Sequence, residues 1–397
     1  MRALIFSCLV GWVLLGLAEA ATGTSTPEDL VRQLGDREFH VREAASQALI
    51  RLGDKALPAV QAGMRDSDPE IRRRCFELHR QLLRLGLEHR IKRFLDSNSK
   101  EEAALPLWER FSKLVGADPE TRRFYADIVR AGYEVLDKTE RAERSQDEEL
   151  QREAREAFQQ LCETIYQTIF TNAARVPGVV APEAFAVAIF LATHPVNQDQ
   201  RPNTRNQLYN LCYQHNIRQA ITNGDASGRV LRRLLAAWLS QETETNMHIQ
   251  GLSLALDFDL PELMAVAKQV VENKKVHGYA RGLALTVVAK YGGKKEIAFI
   301  ERFLADETNV TSFQVAKQNN PVVYKTEIRD WALTLLIHLT GQKLRDYPFP
   351  VLQAVNPGGN LDPIRTYMPH YFGFNERSER EAVFRKWQQW RVDNPLP

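Results

Sequence analysis

Four arginines of this chain stand in one recurring setting: a small or β-branched apolar residue, the arginine, two further positions, then a small residue. The phrase reads Val41-Arg42-Glu43-Ala44-Ala45, Ile71-Arg72-Arg73-Arg74-Cys75, Ala280-Arg281-Gly282-Leu283-Ala284 and Ile328-Arg329-Asp330-Trp331-Ala332. A guanidinium offers five donors, which suit phosphates, carboxylates or backbone carbonyls. A phosphate-binding ladder is expected to come with a basic face. Here 52 Lys+Arg against 50 Asp+Glu leave a net charge of +2. No nucleic-acid partner is therefore expected, and the arginines are assigned to carbonyls or acids of a neighbouring helical hairpin.

Other chemistry-bearing residues are present without a chemistry-bearing pattern. The nine histidines are scattered and form neither H-E-x-x-H nor a ligand pair on one helix face. No P-loop, G-x-G-x-x-G or G-x-S-x-G occurs. Asp257-x-Asp259 has the look of a metal pair, but its Leu-Asp-Phe-Asp-Leu-Pro setting reads as a helix end followed by a cap. No catalytic residue, cofactor site or metal site is assigned, and no cofactor is expected. Cys75 takes the small-residue slot of the phrase, a packing position. Cys162 and Cys212 are available to each other, and their pairing is left open.

One segment breaks local rules. Residues 347–374 gather Tyr347, Phe349, Tyr367, Tyr371, Phe372 and Phe374 among five prolines. Aromatics supply large contact area, and prolines reduce the entropy lost on ordering. Two readings follow: a cover folded over the terminal hairpin, or a groove beside Trp387 and Trp390 that binds a partner. The candidate partner-binding residues are Tyr347, Phe349, Tyr371, Phe372, Trp387 and Trp390.

The elements that must position these residues are helices. Helix formers dominate and runs of alternating β-branched residues are nearly absent, so the fold is expected to be all-α. The first two phrases stand 30 positions apart and each follows an acidic turn residue, Asp36 or Asp66. A recurring unit of that length means helical hairpins stacked as an α-solenoid. Five regions are delimited: 1–20; 21–86, closing at Gly86 as a helix stop; 87–240, a less regular helical centre; 241–345, where the phrase returns; and 346–397, the aromatic segment with a last helix. Residues 306–325 read as a long connection inserted in a repeat. The run 138–156 mixes both charge signs and reads as a solvated helix face, and 185–192 is apolar nearly all round and should be central.

Residues 1–20 combine Arg2, an apolar stretch over 3–17 and Ala18-Glu19-Ala20, the pattern of a secretory signal peptide cleaved after Ala20. Export to the periplasm or beyond is expected, with no membrane span after cleavage.

The Val/Ile-Arg-x-x-Ala phrases with their preceding Asp turn resemble HEAT repeats of the PBS-lyase-like type. The ending Leu339-Thr340-Gly341-Gln342, Asp346-Tyr347, Phe372-Gly373-Phe374 and Arg380 followed by Trp387 and Trp390 is similar to that of exported bacterial HEAT-repeat proteins. The resemblance is clear over 26–86 and 245–340. It implies a right-handed α-solenoid used for protein interaction, and it carries no catalytic residues with it. The expectation is a non-catalytic scaffold of the cell envelope binding a protein partner. The alternative is an envelope enzyme or ligand-binding protein with its site in 87–240.

Overall fold

The computed structural model describes residues 25–96, 105–145, 147–171, 180–197, 202–241, 245–317, 320–356 and 361–395. The expected signal segment 1–20 lies outside the described residues. The chain is mostly helical, and among the described residues its one sheet has two strands. It divides into two compact units, 1–103 and 104–397.

The first unit holds α1 (Pro27–Gln33), α2 (Phe39–Leu52), α3 (Leu57–Gly63) and α4 (Pro69–Leu95). Thr26 caps α1 in a capping box and Asp68 caps α4, each followed by proline at the first helical position. α1 packs on α2 and α3, and α4 packs on α2 and α3. Leu34, Leu49, Val60, Cys75 and Leu82 close their core. α4 does not stop at Gly86 as expected: it runs on to Leu95, burying Ile91 and Phe94. A glycine inside a helix costs only about 1 kcal/mol, less than burial of two large apolar side chains returns.

In the second unit the central helices are α5 (Trp108–Val115), α6 (Pro119–Ser145), α7 (Glu148–Thr171), α8 (Pro182–Ala192), α9 (Pro202–Cys212), α10 (His215–Thr222) and α11 (Ala226–Leu239). Every residue of 185–192 is buried, so α8 is the core of this part and packs against α6, α7 and α11. Gly132 makes that packing possible: a Cβ there would lie 2.6 Å from a Val187 methyl, and α6 kinks at this residue. The mixed-charge run falls on the end of α6 and the start of α7, where Lys138–Glu134, Arg141–Asp137 and Arg152–Glu149 pair along solvated faces.

The last part is built from α12 (Thr245–Phe258), α13 (Met264–Glu272), α14 (Gly278–Gly292), α15 (Ile297–Glu301), β1 (Asn309–Lys317), β2 (Asn320–Glu327), α16 (Ile328–Leu339), α17 (Pro350–Val355) and α18 (Arg377–Asp393). α14 packs on α12, α13 and α16, and α15 on α16. α14 and α16 are buried nearly all round, joined by the Trp331 indole N–H donating to Thr286 Oγ1 at 3.0 Å.

The inserted connection is the departure from the all-helical expectation. β1 and β2 form an antiparallel ribbon, with Phe313 opposite Tyr324 and Val315 opposite Val322. Its strand signal was present in Val310-Thr311 and Val322-Val323-Tyr324, residue types that suit a half-buried pleat.

Candidate interaction surface

The phrase arginines explain how the ribbon is held. In the first unit they tie down a turn. Arg42 Nη1 donates to the carbonyls of Asp36 at 2.7 Å and Arg37 at 3.0 Å, and Arg72 Nη1 to those of Asp66 at 2.8 Å and Ser67 at 2.7 Å. In the second unit the same slot grips the insertion. Arg281, with its side chain 1% exposed, donates to the Val271 carbonyl at 2.7 Å, Thr308 Oγ1 at 3.1 Å and Asp306 at 2.6 Å. Burial works against the charge on Asp306, but hydrogen bonds from Arg281 and Thr308 hold its carboxyl below the usual range. Arg329 donates to Glu307 and to Glu327, both at 2.7 Å. Both roots of the ribbon are thus pinned by arginines of flanking helices.

The ribbon is rooted further by packing. Val310 and Thr326 are buried, Thr326 Oγ1 donates to the Pro369 carbonyl at 2.9 Å, and Lys325 pairs with Phe374 in an antiparallel bridge. A Cβ on Gly278 would lie 2.0 Å from the Asn309 carbonyl oxygen, so α14 starts directly against the base of β1. Farther out, Phe313 and Tyr324 are half-buried. Phe313 meets the ring of His370 at 5.8 Å, and His370 meets Tyr371 at 4.4 Å, which makes a half-exposed ring row beside the ribbon.

Most of the residues assigned to partner binding from sequence lie elsewhere. Tyr347, Phe349, Phe372 and Trp387 are each at most 2% exposed. The structure brings Phe349 and Phe372 together at 5.1 Å, with Trp331 5.7 Å from Phe372 and Phe374 5.8 Å from Phe349. Tyr347 joins them through Phe349 and donates its hydroxyl to Gln342 at 2.5 Å. Trp387 stacks on half-buried Trp390 at 5.2 Å, a pair carried by α18. Rings so enclosed cover α16 and offer no face to a partner; Tyr371 and Trp390 alone of the six are half-exposed. Arg380 locks α18 in place, donating to buried Asp330 at 2.9 Å and lying 3.4 Å from Glu327. Burial lifts the Asp330 carboxyl to about 6 against the opposing pull of Arg380.

A polar cluster sits among the central helices. His194, 1% exposed, accepts from the Val196 N–H at Nδ1, which leaves the proton on Nε2, 3.6 Å from Glu143. Arg110 lies 3.7 Å from the same carboxylate and donates to the Thr193 carbonyl at 3.0 Å. Among the described residues His194 Nε2, Arg110 Nε and Asn197 Oδ1 have no hydrogen-bond partner. Desolvation, and then the Arg110 charge, hold the imidazole below its ordinary pKa. Among the described residues no group of three His, Cys, Asp or Glu could hold a metal ion. Cys75, Cys162 and Cys212 are buried free thiols, so the bridge left open between Cys162 and Cys212 is not formed.

Asp118-Pro119-Glu120-Thr121-Arg122-Arg123 repeats Asp68-Pro69-Glu70-Ile71-Arg72-Arg73. Both aspartates cap a long helix, and buried Thr121 takes the place of Ile71. No family model matches this chain, and no curated protein matches it.

Proposed function

We propose that this protein is a non-catalytic interaction scaffold of the cell envelope, a right-handed α-solenoid of HEAT-like hairpins exported behind a signal peptide removed after Ala20. Support for the solenoid comes from helices that pack on their next and next-but-one neighbours, as in α12, α14 and α16, and from the arginine–turn bonds recurring at Arg42 and Arg72. The observation that carries the interaction reading is the ribbon: it is rooted by two arginines, yet Val322, Val323, Tyr324 and the Phe313–His370–Tyr371 row stay half-exposed. A protein partner then engages the ribbon and the ring row together.

The test is crosslinked affinity capture of the tagged chain from its native envelope fraction, beside the Phe313→Asp, Tyr371→Asp variant. One stoichiometric partner that the variant loses supports this function. A parent chain that enriches nothing over the variant overturns it. The same preparation, sequenced at its N-terminus, should begin at Ala21; a chain retaining residues 1–20 would refute removal of the leader.

A second reading rests on the cluster of His194, Glu143 and Arg110, a histidine–acid pair inside 87–240. There the His194 Nε2–H, beside the Arg110 guanidinium, would donate to a small ligand. Turnover on a panel of ester, amide and glycoside substrates that His194→Gln abolishes would favour it. Equal signals from parent and variant would remove it.

A further inference from the structure

The outer edge of β1 is the part of the ribbon that nothing described so far uses. Lys325 exchanges both of its backbone bonds with Phe374, at 2.9 and 3.0 Å, so its amide and carbonyl point away from β1. Its cross-strand partner Ser312 therefore points its own amide and carbonyl away from β2, and by strand alternation Gln314 and Ala316 do the same. Among the described residues no backbone bond from outside the ribbon reaches Ser312 or Gln314. Edge strands are ordinarily blunted by proline, charge or cover. The stretch 309–316 holds neither proline nor a charged residue.

We propose that two copies of this chain pair through their β1 edges, antiparallel about a two-fold axis at Gln314, to make a four-stranded sheet. This rests on reading the ribbon as the interaction element and names a second copy as an occupant of its edge. The uncharged stretch 309–316 lets an identical strand approach without like-charge repulsion, and three observations set the register. The base of β1 is closed at Asn309, where α14 starts against its carbonyl, so only 311–317 are open to pairing. The midpoint of that open stretch is Gln314, one of the outward positions, so a two-fold there gives the longest overlap and bonds Gln314 to Gln314 and Ser312 to Ala316 of the copy. The same register sets Lys317, the one charged residue of the strand, opposite Thr311 and not opposite its own copy, which avoids a like-charge pair. An isologous contact of this kind closes after two subunits.

Sedimentation of the purified full chain over a concentration series tests the pairing. The expected result is a reversible dimer that Gln314→Pro abolishes. The Gln314 amide points outward, so proline there removes an edge donor and leaves the β1–β2 ladder intact. Gln314→Glu and Gln314→Lys, each studied alone, should dimerise more weakly than the parent, and their mixture should recover the dimer, because the two-fold places position 314 against itself. Val323→Pro, on the other edge of the ribbon, should leave the dimer unchanged, and helical circular dichroism checks that each variant is folded. A parent that stays monomeric throughout, or a dimer indifferent to every Gln314 change, overturns the proposal. A monomeric parent that still captures its partner would sink only the self-pairing; a parent that dimerises but captures nothing would sink only the scaffold's external partner.

Discussion

One residue type, arginine after an apolar position, does different work according to its burial. Arg42 and Arg72 bond exposed turn carbonyls, whereas Arg281 is enclosed with Asp306, Thr308 and the end of α13. Removing one partner of a buried pair leaves an uncompensated charge, which costs about 3–5 kcal/mol. Arg281→Met should therefore lower the denaturant midpoint severely, while Arg72→Ala should cost only about 1 kcal/mol, the worth of a net hydrogen bond. Equal losses at the two sites would contradict this assignment. His194 gives a residue-scale pH dependence. Its folded pKa lies below the ordinary value of about 6.5, so the unfolded chain binds the proton more readily. The contribution is present above about pH 6.5 and is lost as pH falls through the folded value. His194→Gln should flatten that acid-side loss in urea unfolding measured between pH 7 and pH 5.

Two glycines show how an element's surroundings decide what a sequence symbol means. Gly86 lies inside α4, and a Cβ there would meet only the carboxylate tip of Asp54 at 2.8 Å, a group able to swing aside. Gly132 instead faces the branched side chain of Val187 at 2.6 Å inside the α6–α8 contact. Gly86→Ala should raise the unfolding midpoint, by up to about 1 kcal/mol from helix propensity, and Gly132→Ala should lower it by overpacking, about 1–3 kcal/mol. The start of α16 offers a pH-linked element. Asp330 closes its capping box, receiving the Glu327 amide at 2.8 Å, and anchors α18 through Arg380. A carboxyl whose folded pKa is raised to about 6 stabilises the fold relative to the unfolded chain below about pH 4, and that advantage disappears as pH rises through 6. Asp330→Asn should remove this slope between pH 4 and pH 6, on top of a constant loss from the broken pair with Arg380.

From α12 to α16 the helices pack on near neighbours, whereas α11 packs back on α5, α6 and α8, and among the described residues no helix is long and apolar enough to cross a membrane. Such an arrangement opens locally, from its least enclosed parts first. Amide exchange should be slowest in 185–192 and 280–289, where α8 and α14 are buried nearly all round, and fastest in α1 and the exposed turns of α18. Uniform protection along the chain would show that cooperativity extends beyond neighbouring helices.

The sequence alone carried the helical class, the enclosure of α8 and the arginine phrase, because each depends on residues a few positions apart. It also held the Asp-Pro-Glu helix start at Asp118, which the structure bears out, and a strand alternation around 310–324 that the all-helical expectation passed over. The tertiary structure decided the rest, since it turns on groups distant in sequence. Aromatics between prolines look the same in a groove and in a cover. Only the approach of Trp331, Phe349 and Phe372 from three separate segments made Phe349 and Phe372 interior. Likewise, no local pattern could say that His194 would meet Glu143 and Arg110, or that the bridge between Lys325 and Phe374 would turn the Ser312 edge outward. Spacing along a chain fixes which face of an element a residue occupies; what covers that face is fixed by packing between elements.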